Sequence, residues 1–469
     1  MGPIVALFLV ATTLSACFGW YTQLSTSDGS WLSSVTCSGA LCIAVGTGAS
    51  GNAMVERSTD AGSSWTNDTN GVAGLGLDSV SCAGALHCVA VGGEIRGGVL
   101  SAANTLLVST DSGQDWSASS IPSLNAYLNS VSCADTEDCW ATTAMGTGGS
   151  STILATNDGG AGWANLHWNP PPLPEDATAL VASQLDAIDC PTTDDCLAVG
   201  QATYATTLSP PIETQGVVST TDNGGSTWTS QLIGGTDISS ITCPISSECM
   251  AVVQNAGSKA TQSVIGLSSP DGGATWSVSP LAAGTQIAEG HAPDINAIAC
   301  FDTLHCMAVG KVFDSDEYET PVTASTDGGT AWSNQTVNPD DADLQSVACT
   351  TLSNCWAVGS TTQGSVIVRT INAGVATPNV TGVSPGHGPT GGGTVVTITG
   401  SGFNNVTQSV SFGAATTTDF TVDSDTQITA VLPPAAEIVQ ETAAVVDVRV
   451  TTALGTSPLN PADQFTYTG

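Results

Sequence analysis

Apolar and polar residues alternate along this chain in short runs such as Thr394-Val395-Val396-Thr397-Ile398, and Gly, Asp and Asn bound the runs. A period of two turns one face of a strand toward a core and the other toward water. No segment sustains the 3.6-residue apolar period of a helix, so the pattern predicts an all-β protein. One phrase recurs within it. A strand of the Ser-Val or Ala-Ile type ends on a cysteine, a second cysteine follows five or six positions later, and a small apolar run, most often Ala-Val-Gly, closes the phrase. Cys37 is followed in this way by Cys42, Cys82 by Cys88, Cys133 by Cys139 and Cys190 by Cys196. The last three are Cys243 with Cys249, Cys300 with Cys306 and Cys349 with Cys355. Their period of 45 to 57 residues is that of four-stranded propeller blades.

Composition narrows the partners. Among 469 residues, 41 are acidic and only 6 are Lys or Arg, a net charge of −35. The deficit of cations rules against nucleic acid, because neutralising phosphates requires a basic patch. Anionic membrane surfaces are disfavoured for the same reason. The first residues, "MGPIVALFLVATTLSAC", carry an apolar stretch too short for a stable transmembrane helix and are expected to be an export signal over 1–17. Leu14-Ser15-Ala16-Cys17 has the form of a bacterial lipobox, which would make Cys17 the lipidated residue. An ordinary secretory signal, or a start lying upstream, are the other readings, since no Lys or Arg precedes the apolar run.

Fourteen of the 15 cysteines fall into the seven local pairs and Cys17 is left over. Zinc is the rival explanation of each pair, but tetrahedral sites favour tighter Cys-x2-Cys spacing and a second pair nearby. In an exported chain a disulfide across a strand–turn–strand is the better account, each small loop contributing roughly 2 kcal/mol through loop entropy.

A second phrase lies between consecutive cysteine pairs: Ser58-Thr59-Asp60-Ala61-Gly62-Ser63-Ser64-Trp65, with variants at 109–116, 156–163, 269–276 and 325–332. It resembles the Asp-box, or BNR repeat, of sialidase-like propellers. The resemblance implies that Asp60, Asp111, Asp158, Asp271 and Asp327 accept backbone N–H groups across a tight turn, that the glycine supplies a positive φ, and that the Trp packs between sheets. Two copies are worn, with Asn223 and Asn372 at the Asp position, and the latter has no Trp. The strand around Trp20 is expected to complete the seventh blade. A seven-bladed propeller over 18–376 follows, with one Cys pair per blade.

From residue 377 the phrasing changes. "SPGHGPTGGG" (384–393), "ITGSGF" (398–403), "SFG" (411–413), "LPP" (432–434) and "FTYT" (465–468) resemble the IPT/TIG family of immunoglobulin-like β-sandwiches. The family's extracellular members serve as spacers or binding modules. DNA contact, which the fold makes in transcription factors, is excluded with Arg449 as the one Lys or Arg in 377–469.

Candidate chemistry is thin. A sialidase needs an arginine triad, but the propeller span holds only Arg57, Arg96 and Arg369 and lacks the Phe/Tyr-Arg-Ile-Pro motif. No G-x-S-x-G, H-E-x-x-H or P-loop is found. His87 and His305, each just before a second cysteine, are expected in exposed turns. Five long inserts (92–105, 167–184, 200–215, 281–294, 310–322) fall on the end opposite the cysteine and Asp-box turns. Trp168, Tyr204 and Tyr318 in them are candidates to stack on a sugar or peptide. Asp314, Asp316, Glu317 and Glu319 have the oxygen chemistry of a Ca²⁺ site, without the EF-hand spacing or glycine, and a solvated acidic loop is the simpler reading. No other cofactor or metal is expected. The reading is an exported cell-surface binding or scaffolding protein for protein or glycan, a lipoprotein if Cys17 is modified. Non-enzymatic Asp-box propellers among photosystem II assembly factors and sorting receptors are the model for it. The alternative is a carbohydrate-active hydrolase using loop carboxylates.

Overall fold

The structure is a computed structural model that describes residues 19–69, 75–96, 99–124, 126–144, 151–207, 212–233, 237–254, 265–280, 294–311, 320–339, 341–351, 354–371, 378–401, 403, 407–424, 426–435, 444–452 and 455–468. Every regular element among them is a strand. They form two compact units, divided between Ile371 and Asn372.

In the larger unit seven sheets follow one another, six of them antiparallel and built in sequence order from an inner to an outer strand. Blade 1 is Trp31–Ser38, Leu41–Thr47, Ala53–Ser58 and Thr66–Asn67. Blade 4 is the longest, with inner strands Ala177–Asp189, Asp195–Thr206 and Ile212–Asp222. Blade 7 takes Asp343–Thr351, Asn354–Ser360 and Ser365–Ile371 from the end of the ring and its next strand, Gly19–Ser25, from the beginning. Trp20 lies opposite Thr370 in that pairing, as expected from the sequence. Thr336–Asn338 adds a parallel strand outside it.

The core is divided in the same way. Seven apolar clusters each join one blade to the next, among them Leu41, Ile43 and Val45 of blade 1 with Leu77, Val80 and Leu107 of blade 2. The last joins Trp356, Val358 and Ile367 of blade 7 to Leu32, Val35 and Met54 of blade 1, so the ring is closed. Closure leaves the inner strands with edges that no further strand covers.

All seven expected disulfides are present, each bridging the first two strands of a blade. Cys37 is bonded to Cys42, Cys82 to Cys88, Cys133 to Cys139 and Cys190 to Cys196. Cys243 is bonded to Cys249, Cys300 to Cys306 and Cys349 to Cys355. Their Cα–Cα distances of 4.0 to 4.2 Å show the close approach of directly opposed residues in an antiparallel pair. The structure adds a packing role that spacing did not reveal. The second cysteines, Cys42, Cys88, Cys139, Cys196, Cys249, Cys306 and Cys355, are all buried. One of them belongs to each of the seven clusters between blades. Each bridge therefore ties its turn to the apolar core as well as closing it, because its second cysteine sits on the strand that both neighbouring strands cover.

The smaller unit is a β-sandwich. One sheet runs Asn379–Ser384, Val395–Ser401, Gln427–Val431, Phe420–Ser424. The other is built around Ala444–Thr452 and Gln464–Thr468. Val380, Ile398, Phe403, Phe412, Val448, Phe465 and Tyr467 fill the space between, Phe465 meeting Phe412 edge-on at 5.2 Å. The Arg449 guanidinium, half-buried on the face away from Val448 and Val450, donates to the Ser457 carbonyl (2.7 and 2.9 Å).

Candidate functional site

Each blade has two ends of different character. One carries the disulfide turns and the Asp-containing turns. In blade 1, Ser58 Oγ–H donates to Asp60 Oδ1 (2.8 Å), and the same oxygen of Asp60 accepts the Ser64 N–H (2.9 Å). Ser58 Oγ accepts the Gly62 N–H at 2.8 Å. The pattern repeats at Asp111, Asp158, Asn223, Asp271 and Asp327, each accepting the N–H four residues on at 2.8 to 3.0 Å. A carboxylate that accepts such bonds is favoured in its ionised form, as at four of these aspartates. Hydrogen bonds from Ser64 hold Asp60 down to about 2, and Asp111, Asp158 and Asp271 are lowered as well. Asn372 lies outside the described residues. The turn needs two consecutive left-handed residues, which explains the recurrent Gly-Gly; Ala61 (φ 54°) and Ser112 (φ 67°) adopt that conformation without being glycine.

The cations of this end are also committed. Arg57 pairs with Asp68. Arg369 lies over the Trp356 ring, 5.2 Å from its centroid, and donates to Asn354 (2.8 Å) and Ser63 (3.1 Å). His87, expected in an exposed turn, is buried at 5% exposure because it packs under the Gly159 turn of the next blade. His305 is half-buried, stacked on Phe301 at 5.0 Å.

The opposite end is where the long inserts leave the ring. Trp168 and Tyr204, candidates by sequence to stack on a ligand there, are corrected by the structure. Trp168 is 8% exposed and Tyr204 fully buried, in one apolar cluster with Leu185, Val217 and Trp228. The Trp168 indole N–H donates to Ser219 Oγ at 2.9 Å. The segment after blade 3 folds back onto the lengthened hairpin of blade 4, so both rings are used in packing. Asp314, Asp316, Glu317, Tyr318 and Glu319 lie outside the described residues, as does Cys17. Among the described residues no group of three or more His, Cys, Asp or Glu is arranged to hold a metal ion.

What the inner strands bring together instead is a ring of polar residues four positions before each first cysteine: Ser33, Asp78, Asn129, Asp186, Ser239, Asn296 and Gln345. Six of the seven fall where the inner strand's register shifts, the mark of a β-bulge. A bulge inserts an unpaired residue and re-aims its side chain. It also draws the chain toward the second strand, which accounts for the Ala-Val-Gly phrase. A Cβ on Gly46, Gly92, Gly200, Gly310 or Gly359 would sit 1.9 to 2.2 Å from a backbone oxygen of the neighbouring inner strand.

Two of the seven, Asp78 and Asp186, are acids, and other titratable groups of the inner strands crowd them. Burial pushes Asp78 up to about 7, despite a backbone hydrogen bond from Gly93. Asp186 and Asp237, from the inner strands of blades 4 and 5, hydrogen-bond each other, and burial first and mutual repulsion second hold Asp186 well above the carboxylate range. Asp237 is raised by burial. Two carboxyl groups can bond only if one keeps its proton. Tyr127, between them on blade 3, has its hydroxyl raised by burial and by the charges of Asp78 and Asp186. Between blades 6 and 7 an inner-strand acid outside the ring is matched: Asp343 takes Lys311 Nζ at 3.2 Å and the amide of the ring residue Gln345 at 2.6 Å. The sequence signal for Asp78 and Asp186 was present, since this position is polar in all seven repeats where strand alternation leads from one apolar residue to the next.

The fold and this ring define a disulfide-clipped seven-bladed β-propeller joined to an immunoglobulin-like sandwich. Residues 378–467 match the IPT/TIG domain family. No curated protein matches the chain significantly. Among solved structures the chain is similar to YCF48 from Cyanidioschyzon merolae, at 17% identity, a TM-score of 0.50, and 75% of this chain covered against 98% of that one. It is also similar to a GH74 xyloglucanase from Xanthomonas campestris, at 13% identity, TM-score 0.49, 95% and 70% covered. A Hadza microbial sialidase is at 10% identity, TM-score 0.42, 62% and 64% covered. At these identities the likeness is one of fold.

Proposed function

We propose that the protein is an exported cell-surface recognition module of the Asp-box propeller class, which takes its protein or glycan ligand at the loop-rich mouth of the propeller. The observation that carries this is the convergence of Asp78, Tyr127, Asp186 and Asp237, from four successive blades, on the end where the inserts leave the ring. Acids raised by burial are costly to keep and gather at functional sites. Seven disulfides support an oxidising compartment, and the six turns that match the Asp-box in sequence and hydrogen bonding support the class. Lipidation at Cys17 belongs to the same proposal, and a sandwich whose one arginine is already bonded to the Ser457 carbonyl suits a spacer.

A second reading, a carbohydrate hydrolase, is favoured by Asp78, whose raised value suits a general acid. The Asp186–Asp237 pair does not serve it, because glycosidase carboxyls stand about 5 to 9.5 Å apart rather than in hydrogen-bond contact. The disulfide-intact protein, applied to glycan arrays and to extracted surface proteins, separates the two. Recognition predicts a bound ligand, no turnover, and at least about tenfold weaker binding for Asp186→Asn or Tyr127→Phe, a contribution typical of a buried polar contact. Polysaccharide cleavage abolished by Asp78→Asn would establish the hydrolase instead.

A further inference from the structure

The inner strands are tied to one another by a repeating set of side-chain bonds; two seams lack its serine, and one of them also loses the neutral donor beside it. In five seams a serine three residues before the first cysteine accepts the backbone N–H of the following blade's inner strand. The bonds run from Val35 to Ser346, Val80 to Ser34, Val131 to Ser79, Ile188 to Ser130 and Ile298 to Ser240, all at 3.2 Å. These bonds satisfy edge groups that the ring would otherwise leave unpaired. In three seams the bulge residue adds a donor toward the next blade: Asn129 to the Leu185 carbonyl (2.8 Å), Ser239 to Ile295 (3.1 Å) and Asn296 to Leu344 (2.8 Å).

Between blades 4 and 5 both devices are altered. Ala187 stands at the serine position, so the N–H of Ile241 has no such acceptor. Asp186 stands at the donor position, where its carboxyl can donate only when protonated, and it meets Asp237 of blade 5. The remaining tie is also a carboxyl: Asp189 Oδ2 accepts the Cys243 N–H at 2.6 Å, where serine or threonine serves at the equivalent places. The seam between blades 6 and 7 lacks its serine too, at Ala297, but there Asn296 and the Lys311–Asp343 ion pair hold the loop-rich end without a titrating donor.

We propose that the seam between blades 4 and 5 is a proton-operated joint: Asp186 donating to Asp237 closes its loop-rich end, and loss of the shared proton opens it. The groups facing the pair are the Gln184 amide on the same strand, the Ile238 N–H on blade 5, and Tyr127 of blade 3, on which Asp78 also acts. Asp189 lies further along the strand, toward the disulfide. Among the described residues no Lys, Arg or His is recorded against either carboxyl, so the second negative charge would be unmatched. The apolar contacts of Leu197, Val218, Ile238 and Leu267 hold the seam at its centre, which confines opening to the mouth. The joint follows from this seam alone and does not depend on the ligand proposed above.

Hydrogen exchange followed by mass spectrometry on the disulfide-intact full chain tests it, at about pH 5 and about pH 9 with rates corrected for intrinsic exchange. Protection of the 237–243 strand is expected to fall by about tenfold or more between the two, relative to the 31–38 and 294–300 strands as internal controls. Asp186→Asn supplies a permanent donor, as Asn129 and Asn296 do, and should abolish the difference while keeping protection high. Ala187→Ser restores the missing acceptor and should shrink the difference in an otherwise native chain. An equal pH response in all seams, or a response that survives both substitutions, overturns the joint.

Discussion

The two ends of the propeller use the same side chain under opposite conditions. At the turn end, Asp60, Asp111, Asp158 and Asp271 sit near solvent and accept backbone N–H groups, so hydrogen bonding lowers them. At the mouth, Asp78, Asp186 and Asp237 are crowded by neighbouring strands and burial raises them. The first set is occupied in shaping a turn. The second is left with little to bond to: Asp78 Oδ2 has no hydrogen-bond partner, and Asp186 and Asp237 have each other. Repetition of an acid therefore marks architecture here, while its appearance in only some repeats, at a position that is otherwise Ser, Asn or Gln, marks a candidate site.

The largest expected effect tests whether an aromatic from the mouth inserts is structural. Trp168→Ala should cost about 3 to 5 kcal/mol, as for other buried aromatics, measured by denaturant unfolding. A loss under about 1 kcal/mol, with ligand binding impaired, would return Trp168 to the binding face. Next comes the turn end. Ser58→Ala removes the acceptor of the buried Gly62 N–H and the donor to Asp60, and should cost about 1 to 2 kcal/mol. Asp78→Asn at the mouth should change stability at about pH 5 by less than about 1 kcal/mol, since the amide replaces an already neutral acid. If the two substitutions cost the same, the distinction between the ends fails.

The smallest effect is in the pH dependence of stability, where the ends pull in opposite directions. A raised carboxyl leaves the native state with more protons than the unfolded chain between about pH 4 and its native value. The contribution of Asp78 is thus fully present below about pH 4 and lost as pH rises through about 7. Asp60 acts in reverse: its contribution is present above about pH 4 and lost as pH falls through about 2. Thermal midpoints should therefore decline from about pH 5 to about pH 8, and the Asp78→Asn/Asp186→Asn double variant should flatten that decline. A midpoint that rises over this range in the parent chain would contradict the assignment.

The parts of the molecule that are legible in sequence are those where a local rule forces the residue. A disulfide across opposed strands needs two cysteines at fixed spacing, and the Asp turn needs its Ser, Asp and Gly. That spacing pairs Cys37 with Cys42, yet it does not say that Cys42 and its six counterparts pack between blades, which depends on the closed ring. The closing strand can be placed at Trp20 because the seventh repeat has lost its own. Trp168 and Tyr204 mislead because loop length reports where a chain leaves the sheet, not whether it folds back, and blade 4 extends two strands and covers them. Asp186 and Asp237 escape notice for another reason. They lie 51 positions apart, and only the closed ring makes neighbours of successive inner strands. The bulge that exposes the donor position appears in sequence merely as one extra polar residue in an alternating strand.

Carboxyl titration by ¹³C NMR, with aspartate-selective labelling and single Asp→Asn variants for assignment, tests the contrast between the ends most directly. The account predicts that Asp60 and Asp111 titrate below the ordinary aspartate value of about 4, that Asp78 titrates near 7, and that the Asp186–Asp237 pair releases its second proton well above that ordinary range. Carboxyls that all titrate together near about 4 would contradict it.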